Sequence, residues 1–196
     1  MWNIKTPGIP DELFDRDEGV PITKEEVRVV QISKARLKPG MIVYDIGCGS
    51  GSISVEAALQ VEHSGHVHAI DNDVKAIELT KKNLTKFGIT NVSMVNKDAN
   101  ESVSQLPEAD AIFIGGTGKE TKEIVRLCQD KLKQGGRIVI GMILIETIFS
   151  VLSLIQELSF NSVDITQVTI SKSRKTSTGT MMLARNPVTV LSATKS

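Results

Sequence analysis

The sequence predicts an α/β fold with a seven-stranded, mixed sheet. Between residues 41 and 158, short apolar segments alternate with segments of helical periodicity, which is typical of parallel βαβ units. Near residues 163–170 and 180–185, two further strands follow each other with only a polar segment between them. Because strands joined without a helix usually run in opposite directions, we expect an antiparallel pair at one edge of the sheet.

The first elements are an irregular arm, a helix and a strand. The arm, residues 1–22, is rich in prolines and acidic residues. The segment Thr23-Lys24-Glu25-Glu26 has the spacing of a capping box, with Thr23 as the predicted N-cap of the first helix. Pro39-Gly40 ends that helix, and residues 41–46 form the first strand.

The remaining elements alternate in type along the chain. The predicted strands are residues 66–71, 92–96, 111–114 and 137–142, and the predicted helices begin near Ser52, Asp73, Glu120 and Thr147. In sheets of this kind, ligands bind beyond the carboxyl ends of the strands. The motifs that carry chemistry all fall at that edge.

Size and charge limit the possible functions. The 196 residues, 40% of them hydrophobic, predict one domain over residues 1–196, with the arm at 1–22 and the core at 23–196. Lys and Arg total 23 and so do Asp and Glu, which argues against a protein that binds nucleic acid or a membrane surface. No signal peptide or membrane span is visible, so we expect a cytoplasmic protein. Cys48 and Cys128 are expected to be reduced thiols, and no metal site is predicted.

A glycine-rich loop, Asp45-Ile46-Gly47-Cys48-Gly49-Ser50-Gly51, joins the first strand to the next helix. Its glycines allow a tight turn and a close approach to a ligand, and the following helix start favours an anionic group. The dinucleotide fingerprint would need a glycine where Ser52 stands. With its third glycine one residue earlier and an acidic residue before it, the loop resembles that of the Rossmann-like, class I methyltransferases that use S-adenosylmethionine.

Two acidic residues follow the next two strands. Asp71 ends the second strand, where a carboxylate can accept hydrogen bonds from both hydroxyls of a ribose. Asp98-Ala99 follows the third strand, where this class of methyltransferase places an acidic side chain and a backbone amide near adenine. Structural roles stay open as well, since Asp71 can help Asp73 to cap a helix and Asp98 can be a turn residue.

Nearly the whole chain resembles one family, the precorrin-6Y and cobalt-precorrin methyltransferases of cobalamin biosynthesis, in particular its C15-methylating, decarboxylating members. The most selective matches are residues 8–14, 20–28 and 179–188, and the glycine loop and residues 114–118 and 135–139 also match. The glycine loop alone would fit many methyltransferases, so the arm and the ending are the parts that select this family.

The resemblance implies methyl transfer from S-adenosylmethionine to C15 of a tetrapyrrole, with loss of carbon dioxide from the ring C acetate. With the strand-end pattern, it assigns the cofactor to Thr23, Gly47, Cys48, Gly49, Ser50, Gly51, Asp71, Asp98 and Ala99. It also implies a homotetramer. The aerobic counterpart is fused behind a second methyltransferase, whereas this domain stands alone. We therefore expect cobalt-precorrin-6B as the substrate and a separate protein that methylates C5.

A tetrapyrrole with many acetate and propionate groups should meet cations near the strand ends. The candidate contacts are Lys119, Arg174 and Lys175, with Lys172 beside them, and Glu146. An ordinary solvated loop is the alternative for each cation. No catalytic acid or base is assigned, because an electrophilic sulfonium methyl and an electron-rich carbon mainly need alignment.

Three other functions stay open. They are a methyltransferase that acts on another small molecule or on tRNA, a non-catalytic binder of the same cofactor, and a nicotinamide-dependent oxidoreductase. The neutral charge argues against RNA, and Ser52 argues against the oxidoreductase.

Overall fold

The computed structural model describes residue 2, residues 4–158 and residues 160–196, so Met1 and Asn3 of the predicted arm and Ser159 lie outside the described residues. The helices are α1 (Glu25–Ala35), α2 (Ser52–Val61), α3 (Val74–Phe87), α4 (Ala99–Ser102), α5 (Thr121–Lys131) and α6 (Ile145–Glu157), with short 3₁₀ turns at Asp11–Leu13, Val103–Gln105 and Gly118–Glu120. The strands are β1 (Ile42–Ile46), β2 (His66–Asp71), β3 (Val92–Asn96), β4 (Ala109–Ile114), β5 (Leu132–Met142), β6 (Phe160–Val168), β7 (Ser171–Lys175), β8 (Thr180–Ala184) and β9 (Val188–Lys195).

The main sheet has seven strands in the order β3-β2-β1-β4-β5-β9-β6. Strands β1 to β5 are parallel, and β9 is antiparallel to both of its neighbours, β5 and β6. The predicted α/β fold with a mixed sheet and an antiparallel edge pair is thus confirmed. The strand order reverses between β1 and β4, which is where such sheets open a crevice for ligands.

The second strand of the edge pair differs from the prediction. It is β9, whereas residues 180–184 form β8, which pairs with β7 in a separate two-stranded sheet. Burial explains the difference, because Val190 and Leu191 of β9 are fully buried, whereas Met182 of β8 is 62% exposed. The segment that can bury apolar side chains on both faces takes the place in the sheet.

Alternate side chains of the strands pack on opposite faces of the main sheet. Tyr44 and Ile46 of β1 belong to one apolar cluster with α5 and α6, and Val43 belongs to another with α1 and α2. Cys128 of α5 is fully buried, as expected for a core residue. Because helices cover both faces of the sheet, the side formed by the carboxyl ends of its strands is left open.

The predicted capping role of Thr23 is wrong. The residue before α1 is Lys24, and the N–H group of Glu25 donates a 2.9 Å hydrogen bond to Oδ1 of Asp11. The backbone oxygen of Thr23 accepts a hydrogen bond from Arg28. A carboxylate from the arm replaces the local cap, since a negative charge suits the amino end of a helix.

Candidate active site

Two cavities lie side by side over the carboxyl ends of the central strands. The first, the acidic crevice, has a volume of about 260 Å³ and includes the ends of β1 and β2. The second, the wide cleft, has a volume of about 410 Å³ and lies between α1 and the end of β5. Their shared walls are Pro21, Gly47, Gly49, Gly116 and Thr117. A ligand in one cavity therefore adjoins a ligand in the other.

Left-handed backbone explains the glycines of the loop. Gly47, Gly49 and Gly51 have φ values of +73°, +53° and +73°, which residues with side chains rarely adopt. A Cβ on Gly47 would also collide with the carbonyl oxygen of Gly115 in the loop after β4. The two loops are therefore packed backbone against backbone at the boundary of both cavities.

The N–H groups of residues 47–51 are all bonded within the protein. Their acceptors are the carbonyl oxygens of Ile70, Pro21 and Cys48 and the Oδ2 atom of Asp71. A loop that cradles a diphosphate needs such groups free. This loop supplies a fixed shape to the site, and its own donors are already used.

Asp71 stands at the end of β2 and lines the acidic crevice. Its Oδ2 atom accepts the N–H of Gly49 at 2.9 Å, and its Oδ1 atom accepts the N–H of Asp73 at 3.0 Å. Asp73 itself caps α3. Each oxygen of Asp71 keeps a further lone pair, so the carboxylate is held in place and can still accept hydrogen bonds from a ligand.

Asp98 and Ala99 line the same crevice beyond the end of β3. The side chain of Asp98 caps α4 by accepting a 2.8 Å hydrogen bond from the N–H of Asn100. Asp98 therefore has a structural role as a helix cap, and it also borders the crevice.

The acidic crevice has an excess of negative charge. Among the described residues that line it, Asp71, Asp73, Asp98 and Glu120 carry carboxylates and Lys97 carries the one ammonium group. Apolar side chains, including those of Ile46, Ile70, Ala76 and Ile124, complete the walls. This lining suits a ligand with a positive charge and a flat apolar part, and it disfavours a diphosphate.

A buried carboxylate lies next to the glycine loop. Asp45 is 3% exposed and accepts a 2.5 Å hydrogen bond from the hydroxyl of Ser54. Burial raises the pKa of Asp45 to about 6, from an ordinary value of 3.8. Burial also raises the pKa of the Cys48 thiol, which lies 3.5 Å from the hydroxyl of Thr80. Cys48 is therefore a neutral filler of the loop.

The two walls of the wide cleft differ in character. One wall is formed by Lys24, which directly precedes α1, and by Val27 and Gln31, which lie four residues apart on one face of α1. The other includes Ile143 and Leu144, between β5 and α6. The cleft thus offers one polar wall with a cation and one apolar wall.

The arm completes both cavities. Pro21 borders both, and Thr23 lines the wide cleft. The fully buried guanidinium of Arg28 holds the arm, with Nε 2.6 Å from Glu56 of α2 and Nη1 3.3 Å from Asp11. The arm is therefore part of the site.

The structure brings most of the predicted cofactor residues together. Gly47, Gly49, Asp71, Asp98 and Ala99 line the acidic crevice, and Thr23 and Cys48 line the wide cleft, together with both glycines. Ser50 and Gly51 line neither cavity, since Ser50 is buried and Gly51 packs against Thr80. Their place in the fold is within the loop that shapes the crevice.

The predicted substrate contacts lie outside both cavities. Lys119, Glu146, Arg174 and Lys175 are exposed and line neither one. Glu146 belongs to the first turn of α6, and Arg174 and Lys175 belong to the separate β7–β8 hairpin. Lys172 pairs with Glu25 at 3.3 Å and Glu26 at 2.5 Å, which occupies its charge.

Sequence reasoning missed several residues of the cavity walls, among them Pro21, Lys24 and Gln31. The spacing of Val27 and Gln31 along α1, with Lys24 directly before the helix, was a usable signal for a common face. That spacing does not tell which side of α1 faces the sheet and which faces a cleft.

The described residues contain neither a metal-ligand cluster nor a helix that could span a membrane. Within the described residues, no group of three or more His, Cys, Asp or Glu side chains is placed to hold a metal ion. His66 and His68 pack edge to face, with ring centroids 4.9 Å apart. In the same part of the chain, no helix has the length and apolar character needed to cross a membrane.

Comparison with known families and sequences gives consistent matches. The family model of the precorrin methyltransferase domain matches residues 12–195. A relative from Saccharolobus solfataricus, named a probable cobalt-precorrin-6B C(15)-methyltransferase (decarboxylating), is 47% identical over 99% of this chain and 98% of its own length. A relative of the same name from Pyrobaculum calidifontis is 41% identical over 98% of both chains.

Two solved structures are similar over nearly the whole chain. Precorrin 8W decarboxylase from Methanobacterium thermoautotrophicum has a TM-score of 0.88 and 37% identity, over 94% of this chain and 98% of its own. Precorrin-6y C5,15-methyltransferase from Geobacter metallireducens has a TM-score of 0.89 and 32% identity, over 97% of this chain and 98% of its own.

Proposed function

This chain belongs to the precorrin methyltransferase family, and we propose that it transfers a methyl group from S-adenosylmethionine to C15 of cobalt-precorrin-6B. The ring C acetate loses carbon dioxide in the same reaction, which is a step of cobalamin biosynthesis. The relatives at 41–47% identity that carry this activity in their names support the choice of substrate and of reaction.

One observation carries the proposal: an acid-lined crevice shares a wall with a larger cleft. The carboxylates suit a cofactor with a positive sulfonium and a ribose diol. A nicotinamide dinucleotide would instead bring a diphosphate to a loop whose N–H groups are all bonded. The adjoining cleft provides a place for the methyl acceptor.

The residues of the crevice fit each part of S-adenosylmethionine. Asp71 has free lone pairs for the ribose hydroxyls, and Ala99 stands where a backbone contact to adenine is expected. Apolar side chains such as Ile46 suit the adenine ring. Gly47 and Gly49, with no side chains, leave room for the methionine part.

When bound, this cofactor supplies an electrophilic methyl group on a sulfonium. The chain's own contribution is alignment, because Gly47, Gly49 and Pro21 form a fixed wall between the two reactants. Fixed positions of this kind contribute up to about 7–11 kcal/mol. The electron pair released with carbon dioxide passes into the conjugated macrocycle of the substrate. In that step the protein needs only to hold the substrate in place.

The test is incubation of the purified protein with cobalt-precorrin-6B and isotope-labelled S-adenosylmethionine, followed by mass spectrometry. We expect the product to gain one labelled methyl group and to lose one carboxyl group. Bulk tRNA serves as the alternative acceptor. Label in tRNA and none in the tetrapyrrole would contradict the proposal.

Four finer points belong to the same proposal: one methyltransferase domain over residues 1–196, a homotetramer, a cytoplasmic location and a separate protein that methylates C5. For the assembly, the support is exposed apolar surface on α6, where Ile145 and Phe149 are 79% and 74% exposed. Surfaces of this kind are commonly covered by another subunit. Sedimentation equilibrium measures the number of subunits.

A further inference from the structure

The two cavities carry opposite charge. The acidic crevice is lined by carboxylates, whereas Lys24 is the one charged side chain among the described residues that line the wide cleft. A cationic cofactor and a polyacidic substrate would thus each meet complementary charge. The polar wall of the wide cleft is therefore the place to seek substrate contacts.

The side-chain amide of Gln31 on that wall has no partner. Gln31 is 6% exposed, lines the wide cleft, and makes no side-chain hydrogen bond to the part of the chain that the structure describes. An amide has two N–H donors and an acceptor oxygen, and the atoms of the Gln31 amide are not among the enclosed polar atoms that lack a partner, so they are accessible from the cleft. Such a group is suited to a ligand that enters the cleft.

The fold makes room for this amide at the end of β5. A Cβ on Gly141 would collide with the Nε2 atom of Gln31. Gly141 does not have a positive φ, so its backbone conformation does not itself require glycine. The missing side chain at position 141 therefore serves to let the Gln31 amide lie against the strand end.

Lys24 stands two helical turns before the amide on the same wall. Its Nζ atom is 3.8 Å from Oδ2 of Asp11, too far for a hydrogen bond. Burial lowers the pKa of Lys24, and although Asp11 opposes this, Arg16 and Arg185 lower the pKa further. A partly desolvated ammonium group among other cations gains from contact with an anionic ligand.

We propose that Lys24 and Gln31 bind carboxylate groups of the substrate and so position the tetrapyrrole in the wide cleft against the cofactor. Lys24 supplies the charge, and Gln31 supplies N–H donors deeper in the cleft. This inference rests on the proposed function, because it takes an acidic tetrapyrrole as the ligand of the cleft.

The test compares Lys24→Met and Gln31→Leu with the wild-type protein. Each substitution is expected to raise the KM for cobalt-precorrin-6B about 10-fold, the loss expected for one hydrogen bond to a charged group. The affinity for S-adenosylhomocysteine, measured by calorimetry, should stay within about 2-fold, a change too small to indicate a lost contact. Lys24→Arg keeps the charge, so its KM should stay close to the wild-type value. Lys81→Met, on the exposed face of α3, is the matched control and should leave the KM unchanged.

A charge readout separates binding from a merely structural effect. The KM of the wild-type protein should rise with ionic strength, and that rise should be smaller in Lys24→Met. An unchanged KM in both variants would overturn the proposal. If the wild-type protein binds S-adenosylhomocysteine but does not methylate cobalt-precorrin-6B, the proposed function fails instead. Absorbance titration with uroporphyrin, a polycarboxylate tetrapyrrole, then decides: weaker binding to Lys24→Met supports the carboxylate site, and equal binding overturns it.

Discussion

The guanidinium of Arg28 and the carboxylate of Glu56 form a fully buried ion pair, with 2.6 Å between Nε and Oε1. Glu56 also accepts the N–H groups of Gly8 and Ile9, at 3.0 and 2.9 Å. This pair joins the arm to α1 and α2, and the same arm places the carbonyl of Pro21 on the glycine loop. The shape of the active site thus depends on an interaction in the interior.

Replacement of Arg28 by Met is expected to lower the free energy of unfolding by about 3–5 kcal/mol, because the carboxylate of Glu56 would stay buried without its cation. Urea denaturation followed by circular dichroism measures the loss. The double variant R28M/E56Q removes both charges and should recover part of it. A double variant no more stable than the single one would show that the loss has another origin.

Substitution Asp71→Asn should weaken the binding of S-adenosylhomocysteine about 10- to 100-fold, since hydrogen bonds to a charged group contribute about 1.5–3 kcal/mol. Calorimetry measures the affinity. Asp73→Asn is the matched control, because it removes the same charge from the same crevice and asparagine also caps helices. Equal losses in the two variants would assign the effect to the charge of the crevice and not to the Asp71 oxygens.

The stability of the protein should depend on the protonation of Asp45. Its pKa is about 6 in the folded protein and 3.8 ordinarily, so the folded state holds the proton more tightly than the unfolded chain. The stabilisation from this group is complete below pH 3.8 and is lost as the pH rises through 6, a loss of about 3 kcal/mol. Asp45→Asn should therefore gain stability relative to the wild type as the pH rises from 4 to 7, in a series of thermal unfolding curves. A constant difference across that range would contradict the raised pKa.

Substitution Gly47→Ala should lower the free energy of unfolding by about 1–3 kcal/mol, which is the cost of a positive φ at a residue other than glycine. The collision of the new methyl group with the carbonyl of Gly115 adds to that cost. Gly115→Ala is the control, because a Cβ at position 115 would meet open space. The free energy of unfolding of this variant should differ from that of the wild type by less than about 0.5 kcal/mol. Similar melting temperatures for the two variants would mean that the loops separate easily.

The parallel half of the sheet was predictable because its signals are local. Strands β1 and β4 are mostly apolar and mostly buried, as is typical of parallel strands that bury both faces, and β2 alternates two histidines with buried Val67 and Ala69. The role of β9 was not predictable in this way. The sequence predicted the residues of β8 as the last strand and did not predict a strand at β9. The place in the sheet belongs to β9 because its Val190 and Leu191 pack in the core against α1 and β5.

The same distinction holds for the site. Gly47 and Asp71 could be predicted because their positions follow from strand ends and a loop motif. Arg28 and Gln31 could not, because their roles depend on contacts with the arm and with Gly141, distant in sequence. Thr23 matched a capping pattern, but the carboxylate of Asp11, 14 residues before Glu25, takes that role.

The position of β9 between β5 and β6 has a consequence for how the protein is made. On the ribosome, β6 emerges before the strand that joins it to the sheet, so the nascent chain carries an unpaired edge at that stage. Pairing of β5 with β9 also closes a long loop, which makes it a late step. Pairing of β9 with both neighbours is thus the event that protects a newly synthesised copy from pairing with another unfinished one.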